Sequence, residues 1–143
     1  MSIDVGFDLS ELDDFNQRML ELADRQFPNE TKKFIRRQGN AVKSDMKKAY
    51  KQETKKHTGN LLKGVDMDSY ATRTEDGWQI RVRNTAPHAH LIEHGHVFYH
   101  RGQKTEKWVE GKHIVGKVIL RHEQTYPKAV DEFVDQMLEK GLS

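Results

Sequence analysis

Five of the eight histidines fall between residues 88 and 100: His88, His90, His94, His96 and His100. Within them His90-Leu91-Ile92-Glu93-His94 fits H-x-x-E-H, a zinc-peptidase arrangement. Its chemistry needs His90 and His94 one helical turn apart on one Zn²⁺, a third ligand from elsewhere, and Glu93 polarising the metal-bound water. Pro87 and Gly95 bound this segment and leave room for about two turns, whereas such motifs sit on long helices. No second acidic helix motif follows soon after. The competing reading is a set of surface or interface histidines; since the unperturbed imidazole changes charge near pH 6.5, such a cluster would make assembly pH-sensitive.

Other enzyme signatures do not emerge. G-x-G-x-x-G, the Walker-A pattern and G-x-S-x-G are absent from the chain. Ser2, Ser10, Ser44, Ser69 and Ser143 occupy no nucleophile elbow. Asp66 and Asp68 are spaced for one strand face and read as solvated carboxylates. With zero Cys there is no disulfide framework, thiol nucleophile or thiolate metal site, and a reducing cytoplasm fits. No cofactor is implied.

The elements that must carry these residues follow from periodicity. The 143 residues suit one domain. Hydrophobic residues make up 35% and charged residues 32%, little apolar content for a lone globule. No run approaches the roughly 18 apolar residues of a membrane-spanning helix, and MSIDVGFDLSELDD lacks the basic-then-apolar start of a secretory signal. Residues 1–28 form an acidic N-terminal region. Its helix, 9–27, has Leu12, Phe15, Met19, Leu22 and Ala23 inward and Asp8 or Ser10 as cap.

Residues 29–57 predict a long basic helix with an apolar seam of Ile35, Val42, Met46 and Ala49. Arg36, Lys43, Lys47 and Lys51 lie opposite, widened by Lys33, Arg37 and Lys48. That face is either a solvated surface or a contact for DNA or an acidic partner. No aromatic interleaves it, which weakens a single-strand reading.

Residues 61–112 predict an antiparallel sheet with a loop excursion. Residues 64–72 alternate loosely, Glu75-Asp76-Gly77 marks a turn, and Trp78, Ile80 and Val82 face one way against Gln79, Arg81 and Arg83. Residues 84–100 read as a short helical turn between extended pieces. Residues 100–112 read as an excursion, or as a second hairpin with 107–110 as a strand. There Trp108 is either a contact anchor, with Lys107 and His96, or folds back on its own domain.

Residues 113–143 form the C-terminal helical region. Residues 113–124 fit helix or strand, and 126–140 form a helix with Pro127 at its first position. Val130, Phe133, Val134 and Met137 point inward. The fold class is α+β: two N-terminal helices, a small antiparallel sheet, and C-terminal helices packed on it.

Charge is segregated along the chain. Residues 1–27 carry seven acidic and two basic residues, and residues 29–60 ten basic and three acidic. Residues 123–143 carry five acidic and two basic. Acidic ends around a basic centre suit complementary contacts between copies.

Three segments in order carry a resemblance. They are His57-Thr58-Gly59-Asn60-Leu61-Leu62-Lys63, the stretch Asn84 to His96, and Gly111-Lys112-His113-Ile114. Together, over roughly residues 30–140, the chain resembles the small tail-component family of long-tailed phages, the gene-product-ten-like tail proteins. Thr58, Gly59 and Leu61 stand at the family's T-G-x-L turn, and Ala89, Glu93 and Gly95 at its second motif. His88 stands where an aromatic is common, and His96 where Thr or His is found.

The resemblance implies a non-enzymatic virion protein of a phage or prophage, assembled in the host cytoplasm. It would act in tail completion or at the neck where head joins tail. Its partners would be further copies in a ring and head-completion, tail-terminator or tail-tube proteins, with non-specific DNA contact in the lumen and no membrane. Glu93 and Gly95 are then a structural turn signature. Two other readings stand beside this one. A basic nucleic-acid-binding module predicts DNA affinity that falls steeply with salt. A zinc-dependent hydrolase using His90, Glu93 and His94 predicts stoichiometric zinc.

Overall fold

The computed structural model describes residues 3–6, 14–53, 60–74 and 77–141. Helix α1 spans Asp14–Gln26 and α2 spans Pro28–Glu53, with Phe27 as the single residue between them. Phe27 N–H donates to the Ala23 carbonyl at 2.7 Å, and Thr31 N–H donates to the Phe27 carbonyl at 3.0 Å. Pro28 fits the first position of α2, where an N–H has no intrahelical partner. On α2 the predicted seam is buried, joined by Phe34, Tyr50, Thr31 and Gly39.

On α1 the buried line is Asn16, Leu20, Ala23 and Asp24, with Met19 and Leu22 partly covered. Phe15, expected inward, is 68% exposed. The core stripe runs one position further round the helix, and two polar residues occupy places the apolar count gave to Phe15. Leu12, the cap candidates Asp8 and Ser10, and the expected helical stretch 9–13 lie outside the described residues.

The main sheet has three antiparallel strands in the order β1 (Ile3–Gly6), β5 (Arg81–Asn84), β2 (Val65–Met67). Val82 sits opposite Val5 on one side and Met67 on the other. Ile3–Gly6, expected within an acidic helical region, is therefore a strand. The expected single hairpin is also divided. Strands β3 (Thr72–Thr74) and β4 (Gly77–Gln79) pair with each other, while β2 and β5 pair in the main sheet. Ile80, between β4 and β5, and Val82 are fully buried, so the predicted alternation survives the break.

Two short helices follow the turns: α3 (Asn60–Gly64) precedes β2, and α4 (Ala89–His94) follows β5. Strands β6 (Gly95–His100) and β7 (Gln103–Glu110) form a second hairpin, one of the two readings of 100–112. Helix α5 is continuous over Ile114–Glu139, so the expected C-terminal helices are one, and Pro127 lies inside it. Proline removes the bond to the carbonyl of residue 123. Glu123 is exposed, so water can take that carbonyl.

The fold class is α+β. Its core is the space between α2, α5 and the main sheet. Phe34 stacks on Phe133 with ring centroids 4.5 Å apart and on Tyr126 at 6.2 Å, joining the two long helices. His122 Nε2 and Asp45 Oδ2, 2.7 Å apart, make a polar link between the same helices. Gly39 lets α2 approach the sheet: a Cβ there would lie 2.9 Å from both Ile80 Cγ2 and Met67 Sδ.

Candidate functional site

The second motif builds the junction between α4, the β6–β7 hairpin and α5. Residue 113 opens α5 in the left-handed region at φ 49°, and its side chain caps nothing. The cap comes from Glu93, 5% exposed on α4. Its Oε1 accepts from Val115 N–H at 2.8 Å and its Oε2 from Gly116 N–H at 3.0 Å. A carboxylate at a helix N-terminus satisfies orphan donors and meets the positive end of the dipole. Two backbone bonds reinforce it: Lys112 N–H to the Ile92 carbonyl at 2.7 Å and His113 N–H to the Glu93 carbonyl at 3.3 Å.

Two glycines allow this approach. A Cβ on Gly111 would lie 2.4 Å from the Glu93 carbonyl oxygen and 2.8 Å from Gly95 N. Gly95, at φ +90°, would put a Cβ 2.6 Å from the Val109 carbonyl oxygen. The hairpin thus leaves and re-enters the body through two adjoining glycines, beside a carboxylate clamp.

This use of Glu93 removes the base from the H-x-x-E-H reading. Both carboxylate oxygens face α5, and no group of three or more His, Asp or Glu among the described residues is placed to hold a metal ion. His90 is half-buried with its Nδ1 unpartnered, while His88, His94 and His100 are exposed. The half-buried His96 places Nδ1 3.0 Å from the Val97 carbonyl oxygen.

The turn candidates Thr58 and Gly59 lie outside the described residues. Leu61 packs on the core, and its carbonyl accepts from Asn84 Nδ2 at 3.0 Å. Asn84 Oδ1 in turn accepts from Ala86 N–H at 2.9 Å. Buried Asn84 ties the first motif to the second, a role that sequence reasoning missed. The signal was available, because Asn84 continues the inward alternation of Ile80 and Val82. Tyr50, on α2, lies beside it. Burial raises the Tyr50 pKa most; the hydrogen bond with Asn84 lowers it, and the charge of Glu93 raises it. Ala89, the first residue of α4, is fully buried.

Asp24 is the other missed residue. It accepts from Trp78 Nε1 at 2.6 Å and Arg73 Nη2 at 2.7 Å, joining α1 to β3 and β4. Trp78 is only partly buried against the core. Asp68, read as solvated, instead accepts from both Arg83 terminal nitrogens at 2.8 and 2.6 Å and from Arg81 N–H at 3.0 Å.

The β6–β7 hairpin is an arm. Its strands pair with each other and β6 meets α4, but the outer half is solvated on both faces. Arg101 (φ 51°) and Gly102 (φ 80°) make the two-residue turn, both in the left-handed region that such hairpins favour. Trp108 is 50% and Tyr99 58% exposed, and Lys107 Nζ lies 5.5 Å from the Phe98 ring centroid. Among the basic-face residues, Arg36 Nη1 donates to the Ser69 carbonyl, Lys43 is half-buried, and Lys47 and Lys51 are exposed.

No curated protein and no solved structure matches the chain. A family model matches residues 13–95, from the start of α1 through the α4 motif, leaving the arm beyond Gly95 and α5 outside the matched stretch. With more than half its length matched, and Glu93 and Gly95 holding the junction just described, the chain belongs to the family described as "Bacteriophage HK97-gp10, putative tail-component".

Proposed function

We propose that this chain is a structural virion protein of a phage or prophage that completes the tail at the neck, where head and tail join. It works by fitting against copies of itself in a ring and against head-completion, tail-terminator or tail-tube neighbours. It makes and cuts no bond. Assembly takes place in the bacterial host cytoplasm.

The observation that supports this reading is the rigidly rooted arm. A two-stranded ribbon standing alone is marginal in water. Here its root is held by Glu93, Gly95 and Gly111, while Tyr99 and Trp108 stay exposed. Exposed aromatics on a fixed support suit docking to a neighbour. The test is a Trp108→Ala phage. Heads and tails should accumulate unjoined while the purified variant keeps its melting temperature. Absence of the protein from purified virions, or turnover of a substrate, would overturn the reading.

The basic face of α2 supports a second role beside the first, as lining for the DNA path. Lys33, Arg37, Lys47, Lys48 and Lys51 are all exposed along one helix. They attract phosphate without reading sequence.

A further inference from the structure

The sequence puts no aromatic on the basic face of α2, but the fold brings two to it. Tyr70, between β2 and β3, has its ring centroid 5.9 Å from Lys32 Nζ. Trp78, on β4, has its ring centroid 5.7 Å from the same Nζ and 5.2 Å from the Arg73 guanidinium carbon. The backbone on either side of Tyr70 is anchored: the Ser69 carbonyl accepts from Arg36 Nη1, and Ala71 is buried. The Tyr70 side chain nevertheless stays 65% exposed. Trp78 is half-buried, and its Nε1–H donates to Asp24.

Three cations, Lys32, Arg36 and Arg73, thus stand around two rings. Of the described carboxylates nearby, Asp24 gives one oxygen to Trp78 and the other to Arg73. Asp68, two residues before Tyr70, accepts from Arg83 and from Arg81 N–H, and Asp66 lies 3.9 Å from Arg83 Nε. Glu21, one turn before Asp24 on α1, is spaced to meet Arg18 and Arg25. Glu30 faces Lys140. Glu75 and Asp76, in the turn between β3 and β4, lie outside the described residues. From the rings the positive face continues along α2. Lys32, Arg36, Lys43 and Lys47 fall within about 60° of one another and span about 22 Å. The one acidic residue between Lys32 and Lys51 is Asp45, which is engaged by His122.

We propose that this cluster binds single-stranded DNA. A base stacks on Tyr70 beside Trp78, Lys32, Arg36 and Arg73 attract the phosphates, and the strand continues along α2. Every base has a π-face, so the site reads no sequence. At roughly 3.4 Å per stacked nucleotide, the basic track has room for about six. An acidic peptide would use the cations and leave the exposed ring idle, so the strand is the better-fitting occupant. The inference rests on the DNA-path reading of α2 and adds to it a preference for unpaired bases.

The test measures binding of the full-length chain to three probes of equal length, about twelve nucleotides: oligothymidylate, an abasic strand and a duplex. Oligothymidylate should bind about tenfold tighter than the abasic strand, which carries the same phosphates without bases. Tyr70→Ala should weaken oligothymidylate about tenfold and leave the abasic strand and the duplex within about twofold, whereas Tyr70→Phe should keep the parent affinity. Photocross-linking of a bromodeoxyuridine strand to the parent chain should place the adduct on Tyr70 or Trp78. This readout needs no variant to fold.

Equal affinity for the abasic strand and oligothymidylate, or an adduct mapped elsewhere, overturns the site. So does a polyglutamate peptide that binds as tightly as oligothymidylate, which would make the patch a protein contact. Steeply salt-dependent duplex binding in such a chain would leave the DNA-path reading standing; a chain that binds none of the three probes would sink both.

Discussion

Glu93 and Val115 lie 22 residues apart, yet the Glu93 carboxylate accepts the Val115 backbone N–H at 2.8 Å and so starts α5. Gly116 N–H donates to the other oxygen, so one carboxylate satisfies both donors. Glu93→Ala should cost about 2–3 kcal/mol, leaving two orphan donors, one on a buried residue. Glu93→Gln keeps one acceptor but turns an NH₂ toward the second donor, and should cost about 1 kcal/mol less than the alanine. Denaturant unfolding measures both. Faster hydrogen exchange confined to the first turn of α5 would locate the damage.

Gly111 and Gly116 predict opposite signs within five residues. At Gly111 a Cβ would strike the backbone of residues 93–95, which cannot move without opening the arm's root. Gly111→Ala should therefore destabilise by about 2–3 kcal/mol. At Gly116 the nearest atom to a Cβ is Glu93 Oε2 at 3.6 Å, an ordinary contact, and the residue is helical. Gly116→Ala should stabilise by about 0.5–1 kcal/mol, because alanine loses less conformational freedom on entering a helix. Melting temperatures moving in the same direction would refute the geometric account of this junction.

The sequence exposes what is periodic and hides what depends on distant pairing. The Ile35–Ala49 seam was legible because several turns of one helix repeat it, and Ile80 and Val82 because strand alternation is strict. The α4 turn was legible from Pro87 and Gly95. Strand β1 was not: its four residues show no long pattern, and Ile3 pairs with Asn84, far along the chain. Phe15 was misplaced because polar Asn16 and Asp24 are buried, the latter by partners on β3 and β4. Pro127 looked like a helix start because proline favours that position, but packing of Tyr126 and Val130 on either side carries α5 through it. Glu93 was legible as a turn residue; its bond to α5 depends on a chain reversal that no local pattern records.

Tyr50 should give stability an alkaline limb. Its folded pKa is raised, chiefly by burial, above an ordinary value of 10.0. At neutral pH both states hold the proton, and the full stability is present. Above pH 10 the unfolded chain releases it while the folded chain retains it, so stability falls as pH rises toward the folded pKa. Tyr50→Phe should flatten this limb. At neutral pH it should cost about 1 kcal/mol, for the lost interaction with Asn84. Urea midpoints between pH 8 and 11 test this; parallel curves for parent and variant would contradict it.

The lumen role of α2 is best tested away from Arg36 and Lys43. The Arg36 guanidinium holds the Ser69 carbonyl and Lys43 is half-buried, so reversing either disturbs the fold as well as the field. Lys47 and Lys51 are exposed, one turn apart, on the same face. If that face meets DNA, binding of a random duplex should weaken steeply with salt. In Lys47→Glu/Lys51→Glu, the slope of log affinity against log salt should shrink by about two, near one per phosphate contact removed. The same variant should keep its melting temperature, because both lysines are exposed. An unchanged salt slope would return these lysines to the role of a solvated surface.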